Sequence, residues 1–421
     1  MRCYYSILIV PKEIFSFLHQ RHGSIFSSLS NLSSRNIMTT TTTTTTTTSP
    51  SFRCVWTNLT SEIQEDPEYG KPLGRSSHGL SYCAAHGKLF LYGGENIART
   101  PLEPPQCQSS WILDIAKKQW KFVGMHDQDQ HSNNNNNNNN NSSSPSPRVA
   151  HAQAVHANGK DVYVFGGRAG ITMSEQPLQD LWKFDMDTES WTSLHDAKGD
   201  LPEARSFHKM ISTGDALYVF GGCGPSGRLA DLHKYHIPTH TWTTLSKSTL
   251  LRGRGGPNLF VLPHSSKLAV IAGFAGEETN DGHIYNLSTH AWDNTALHLK
   301  DMRPRSVCAS GCMPSLANHI VIFGGEVDPS DRGHEGAGGF ANDLVIVDPE
   351  ASHVVGNLAA STTAAAAAWP VSRGWSDAAI HPTQSKLYVF GGLTGDDEDP
   401  QRLEDLWQCE LSMIEDGSTT P

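Results

Sequence analysis

No stretch of this sequence stays apolar long enough to cross a membrane; the run Ser6–Val10 meets Pro11, Lys12 and Glu13 almost at once. The 8 cysteines form no CxxC pair and follow no regular spacing, with only Cys308 and Cys312 close together. That argues against a disulfide framework and for free thiols in a reducing compartment. Basic residues are the minority, 32 Lys and Arg against 43 Asp and Glu, for a formal net charge of −11. Without a basic stripe, nucleic acid is not the expected partner. Long apolar patterns at helical spacing are scarce too. No Ser-His-Asp order, paired acid–base carboxylates or phosphate-cradling loop stands out, and no helix follows the glycine doublets described below. What is abundant is glycine (37) and tryptophan (10), in 421 residues. That composition favours an all-β chain of one large domain or two ordinary ones.

The ends differ from the middle. Residues 1–37 carry Arg2, Lys12, Arg21 and Arg35 against Glu13 alone, with many serines. This is the composition of a mitochondrial presequence. With translation from Met38 instead, the protein is expected in the cytoplasm. Thr39–Thr48 is a pure threonine run with no core face. Residues 1–52 are therefore read as a low-complexity segment, 53–411 as the folded domain and 412–421 as a tail.

Within the domain one phrase recurs: KLFLYGGE (88–95), DVYVFGGR (161–168), ALYVFGGC (216–223), KLAVIAGF (267–274), HIVIFGGE (319–326) and KLYVFGGL (386–393). Each is an apolar strand ending in two small residues; in the fourth, Ala272 replaces the first glycine. A second phrase carries a tryptophan near the start of another strand: Trp120, Trp191, Trp242 and Trp292, with Val354 in that place in the fifth unit. A third phrase before each doublet supplies Arg75, Arg148, Arg205, Arg254, Arg305 and Arg373. The three regular doublet intervals are 51 to 55 residues. The longer intervals hold the Asn133–Asn141 and Ala364–Ala368 tracts, read as solvated insertions.

Each unit has four short strands and cannot bury both sheet faces alone, so units must stack. The sixth stops after EDLWQCEL (404–411), one strand short, and RCVWTNLT (53–60) matches the missing strand. The expectation is a six-bladed β-propeller whose last blade is closed by the N-terminal strand. Doublet, tryptophan and spacing together resemble the kelch-repeat family of propellers, from Arg53 to Leu411. Kelch propellers include enzymes, actin binders and ligase adaptors, so the fold does not name the function.

The densest chemistry follows the fifth doublet, in FGGEVDPSDRGHEGAG, Phe323 to Gly338. Glu326, Asp328, Asp331, His334 and Glu335 fall on one loop bent by Pro329 and Gly333. Two carboxylates and an imidazole can hold a divalent transition metal with positions left open, and oxygen-rich ligation favours iron(II) or manganese(II) over zinc. The alternative is an acidic surface turn with Glu326 and His334 held by local hydrogen bonds. The loop resembles that of the plant specifier proteins: the epithiospecifier, nitrile-specifier and thiocyanate-forming kelch propellers. The resemblance implies ferrous iron and nitrile-forming-like conversion of a small sulfur-containing anion. Glu326 and His334 match that family's glutamate and histidine, and HEGAG matches the tail. The middle aspartate does not match, since Ser330 stands there with Asp331 and Asp328 nearby. The same resemblance makes Arg75 and Arg148 candidates for holding the substrate's anionic group; the alternative is that they tie backbone carbonyls at blade edges. His78, His151 and His208, three residues after an arginine, are read as structural because they recur. Two functions remain: a metal-dependent, lyase-like protein with a small-molecule substrate, or a non-catalytic kelch module that binds a protein partner.

Overall fold

The computed structural model describes residues 51–102, 110–124, 144–169, 176–262, 264–360 and 368–414. The presequence reading, the threonine run, the asparagine tract and all but the last residue of the alanine tract lie outside them. Six antiparallel sheets of four principal strands form the blades of a propeller. In blade one the strands are Gly79–Cys83, Lys88–Tyr92, Ser110–Asp114 and Gln119–Phe122. In blade six, Ser51–Asn58 pairs antiparallel with Leu406–Ile414, so the N-terminal strand closes the ring. That seam is longer than the sequence suggests. It starts at Ser51 rather than Arg53 and takes in Ser412, Met413 and Ile414 from the expected tail. The apolar match continues through Phe52, and continued pairing satisfies backbone groups that would otherwise form an open edge.

Neighbouring blades meet through one aromatic contact repeated around the ring. The fourth-strand tryptophan packs on the last residue of the preceding blade's second strand. Trp120 meets Phe390 at 5.9 Å, Trp191 meets Tyr92 at 4.9 Å and Trp242 meets Phe165 at 5.2 Å. Trp292 meets Phe220 at 6.1 Å and Trp56 meets Phe323 at 4.8 Å. Blade five breaks the pattern on both sides at once. Val354 replaces the tryptophan, Ile271 replaces the aromatic, and both belong to one core cluster. Two large rings give way to two aliphatic groups, which keeps the interface filled.

Two hydrogen-bond rings sit at the doublet end of the channel. In the first, the second small residue of each doublet donates its N–H to the arginine carbonyl of the next blade. Gly94 donates to Arg148 at 3.0 Å, and the pattern runs round to Gly392, which donates to Arg75 at 2.8 Å. In the second, the residue two after each arginine donates to its counterpart one blade back. Ala150 donates to Ser77, Phe207 to Ala150, Gly256 to Phe207, Val307 to Gly256, Trp375 to Val307 and Ser77 to Trp375, at 2.8–3.1 Å. The second ring closes on itself. All six of its members have positive φ, from 48° at Val307 to 57° at Ser77. Five are not glycine, and each non-glycine αL residue costs on the order of 1 kcal/mol.

The arginines fix this rim. Each is fully or almost fully buried. Arg205 is typical: Nε donates to the Glu203 carbonyl, one terminal nitrogen to the Gly221 carbonyl, and the fork takes Asp231 at 2.8 Å on both oxygens. The same clamp joins Arg148 to Asp180, Arg254 to Asp281, Arg305 to Asp343 and Arg373 to Asp405, at 2.6–2.7 Å. Burial alone would raise the Asp180, Asp281 and Asp405 carboxyls; the bidentate guanidinium outweighs it and holds them below the usual carboxylate range.

The doublet positions are not equivalent. The first has φ of 58–69°, the αL region open to other residues at a cost, which is why Ala272 fits at φ 61°. The second has φ of 97–110°, where only glycine is comfortable. A Cβ on Gly222 would stand 2.7 Å from the Ser206 carbonyl oxygen and 2.7 Å from the His208 Cβ. A Cβ on Gly221 would meet nothing closer than 3.0 Å. Gly221→Ala is therefore expected to cost about 1 kcal/mol and Gly222→Ala at least about 3 kcal/mol, measured by denaturant unfolding. Equal losses would contradict this reading of the rim.

Candidate functional site

A cavity of about 260 Å³ opens beside the rim, spanning blades three to six. Rim residues form its inner wall: Phe207, Gly256, Val307 and Trp375. Phe207 and Trp375 meet edge to face at 5.4 Å and 82°. Residues that follow the doublets form the outer wall: Cys223, Phe274 and Glu326. Each of these three is held by a backbone bridge to the residue just after an arginine: Ser206, Gly255 and Ser306 respectively. The site is thus built on the clamped rim. The Glu326 loop reaches over it with Pro329, Ser330 and Gly333, and Arg228 comes from the hairpin Cys223–Gly224 with Gly227–Arg228. The Arg228 guanidinium lies 4.6 Å from the Phe274 ring centroid.

Glu326 is 9% exposed. Burial pushes its carboxyl up to about 7, although the Ser330 backbone N–H and the Trp375 indole N–H both donate to it. Behind Ser306 stands a second carboxylate, the half-buried Glu278 of blade four. Ser306 Oγ donates to its Oε1 at 3.2 Å, while Oε2 is buried without a hydrogen-bond partner. Burial, and then the Glu326 charge, push Glu278 up to about 8. Among the described residues, neither group forms an ion pair with a Lys or Arg. Glu326, buried, and Glu278, half-buried, form a centre of negative potential that a cation would relieve.

The other expected donors do not gather there. Asp328 is exposed and accepts from Arg303 at 2.7 Å. The short strand Glu326–Asp328 carries a β-bulge, and the Asp328 charge adds to the rise of Glu278. Asp331 is exposed, and its backbone N–H donates to Asp397 of blade six at 3.2 Å. Asp397 also accepts the Ser330 hydroxyl, so an acid from another blade ties down the position where the resemblance puts an aspartate. His334 lies in the 3-10 turn Gly333–Glu335, and its side chain is outside the described residues. Among the described residues, no three His, Cys, Asp or Glu side chains form a metal-binding group.

Arg75 and Arg148 are not at the cavity. Both are fully buried. Arg75 donates to the Leu73 and Gly93 carbonyls, each at 3.1 Å. Arg148 donates to Ser146, Gly166 and Asp180. They are blade clamps, the alternative that their recurrence already suggested. His78, His151 and His208 are buried edge-on against Phe390, Tyr92 and Phe165 of the preceding blade, at 5.2–5.6 Å. Burial, and then the neighbouring arginine, push His78 and His151 down to about 3, so they wedge blades apart as neutral rings. The residues missed from sequence are Glu278, Arg228, Phe207, Phe274 and Trp375. Phe207 and Trp375 share one readable signal, the second place after each recurring arginine.

The family model described as the KLHDC2/KLHL20/DRC7 Kelch-repeats domain matches residues 125–325. The chain is a six-bladed β-propeller with kelch repeats over those residues. The N-(sulfonatooxy)prop-2-enimidothioate sulfolyase of Thlaspi arvense is 26% identical over 300 residues, covering 66% of this chain and 78% of that protein. Kelch domain-containing protein 1 of Homo sapiens is 30% identical over 175 residues, 40% of each chain. The Drosophila melanogaster leucine-zipper-like transcriptional regulator 1 homolog is 27% identical over 194 residues, 44% of this chain and 19% of its own. The match to these last two therefore spans well under two thirds of their length. Among the described residues of this propeller, no helix is long and apolar enough to cross a membrane.

These two acids make stability pH-dependent. Both carboxyls have raised folded values, so the folded state retains their protons. That stabilisation is whole below the ordinary carboxyl range and is lost as pH rises through about 7 for Glu326 and about 8 for Glu278. Glu278→Gln should flatten the fall in melting temperature between about pH 5 and 9 and melt higher than wild type at the alkaline end. A variant whose melting profile keeps the wild-type slope would contradict the assignment.

Proposed function

We propose that this kelch propeller binds and converts a small sulfur-containing molecule in the Glu326 cavity, as a protein of the specifier type. The observation that carries the reading is Glu326 itself. It is a carboxylate buried in the wall of an aromatic cavity, on the loop whose sequence resembles the specifier loop. The sulfolyase named above, which aligns with most of its own length, supports the same direction.

The site's chemistry suits a divalent cation, because among the described residues no Lys or Arg ion-pairs with Glu326 or Glu278 and one Glu278 oxygen has no partner. Glu326 and His334 would hold ferrous iron, with Glu278 or Asp331 as the further carboxylate; Asp328 would first have to leave Arg303. Iron supplies Lewis-acid and one-electron chemistry at open coordination positions, where sulfur can bind. The chain's own part is positional. Trp375 holds the Glu326 carboxylate through its indole N–H. Phe207, Phe274 and Val307 give an apolar enclosure that limits water around a reactive substrate. The second reading, a non-catalytic protein-interaction module, is supported by the match to Kelch domain-containing protein 1.

Anaerobic iron(II) calorimetry on the full chain, followed by consumption of N-(sulfonatooxy)imidothioates, separates the two. The expected result is near-stoichiometric iron binding and substrate loss in wild type, both abolished in Glu326→Gln and His334→Ala. A folded wild type that neither binds iron nor consumes substrate would overturn the proposal and favour the interaction module.

A further inference from the structure

Ring closure brings together two cysteines that the sequence keeps at opposite ends of the domain. Cys54 lies on the N-terminal strand Ser51–Asn58, and Cys409 on the last strand, Leu406–Ile414. The register sets Cys54 opposite Leu411 and Trp56 opposite Cys409. Side chains alternate between the faces of a strand, so these four share one face and the two cysteines are diagonal neighbours across the seam. That face packs against blade five, in the core cluster of Trp56, Cys409, Leu411, Val321 and Phe323, with Cys54 at its margin. Both cysteines are free thiols, and they hydrogen-bond to each other. Their settings differ. Cys409 is fully buried, whereas Cys54 is half-buried on the outermost strand of blade six. The bond from Cys409 holds the Cys54 thiol below its ordinary range, while the same bond and burial push Cys409 well above it. Burial pushes Cys83, Cys308 and Cys312 up to about 12 and raises Cys223. Among the described cysteines, Cys54 is thus the one whose thiolate, the nucleophilic form, is favoured.

We propose that Cys54 and Cys409 are a redox modification site, a reversible disulfide formed by hydrogen peroxide that locks the propeller at its closing seam. The Cys54 thiolate attacks one peroxide oxygen, the O–O bond breaks, and Cys54 becomes a sulfenic acid as hydroxide leaves. Cys409 then attacks the Cys54 sulfur. The S–S bond forms, the S–O bond breaks, and the Cys409 proton leaves with the oxygen as water. Two thiols lose two electrons in all, and one peroxide is reduced to two waters. A small thiol reverses the bond by exchange. Diagonal neighbours in a flat sheet stand somewhat farther apart than a disulfide spans, but an outermost strand is hydrogen-bonded on one side only and has room to shift. The consequence follows from position. The crosslink ties the first strand to the last and encloses most of the domain in one covalent loop. It acts where the ring is otherwise closed by hydrogen bonds and packing. The inference is independent of what the Glu326 cavity binds.

The test treats the full chain with hydrogen peroxide and reads two things: which unreduced tryptic peptides are joined, by mass spectrometry, and how fast the protein unfolds in denaturant. In wild type the peptides carrying Cys54 and Cys409 should become linked, and unfolding should slow about tenfold or more, both reversed by dithiothreitol. Cys54→Ser and Cys409→Ser should show neither the link nor the slowing. Each variant is compared with itself before and after peroxide, so any cost of the substitution to the fold cancels, and the wild-type comparison stands even where a variant fails to fold. Cys54 that stays a thiol, passes to sulfinic acid or joins a different cysteine would overturn the site. A Cys54–Cys409 link that leaves the unfolding rate at its reduced value would overturn the lock.

Discussion

The structure depends on a closed ring of six backbone hydrogen bonds, each from an αL residue of one blade to its counterpart one blade back. No single blade can satisfy its own member of the ring. The bond is made only when the neighbour is in place, and the sixth only when the circle is complete. The strained φ of Phe207, Val307 and Trp375 is tolerated because everything around them is fixed. Arginine clamps fix the backbone two residues before each rim position, and doublet glycines allow the next blade to approach. Trp56 and its counterparts fill the wedge between sheets. Closure of the N-terminal strand on Leu406–Ile414 is what lets these local devices become one object.

The candidate site is a by-product of that constraint. An αL residue projects its side chain toward the channel mouth instead of into a blade. The rim therefore offers six positions whose side chains are free to vary while their backbones are not. Here blades one and two carry Ser77 and Ala150, blade four carries Gly256, and Phe207, Val307 and Trp375 carry bulk. The cavity lies over the bulky arc. Because Glu326 follows a doublet, its backbone is bridged to Ser306 and its carboxylate is aimed inward by the same rigid frame. Such a site needs little reorganisation on binding, which is the usual advantage of placing function on a stiff scaffold.

The fold was legible because its signals are local and repeated: doublet, tryptophan and arginine recur in phase, and the unpaired last strand has its partner at the other end. Even the irregular fifth unit is consistent, since Val354 and Ile271 change together. The site was legible in part. Glu326 could be found because it follows a doublet. Asp328 could not be excluded, because its ion pair with Arg303 cannot be read from spacing. Arg75 and Arg148 were drawn toward function by resemblance, whereas their recurrence pointed to the clamp the structure shows. Glu278, Arg228 and Asp397 come from three other blades, and no linear spacing brings them to Glu326. Their contribution exists only once the ring has closed.

Amide hydrogen exchange across the rim tests this dependence most directly. The rim donors Phe207, Val307 and Trp375 sit at the mouth of an open cavity, yet they should exchange only through global unfolding. The Glu326 loop from Asp328 to Gly336 should exchange faster through local opening. Rim amides that exchange as fast as the loop would mean that the ring is not the fixed frame on which the cavity is built.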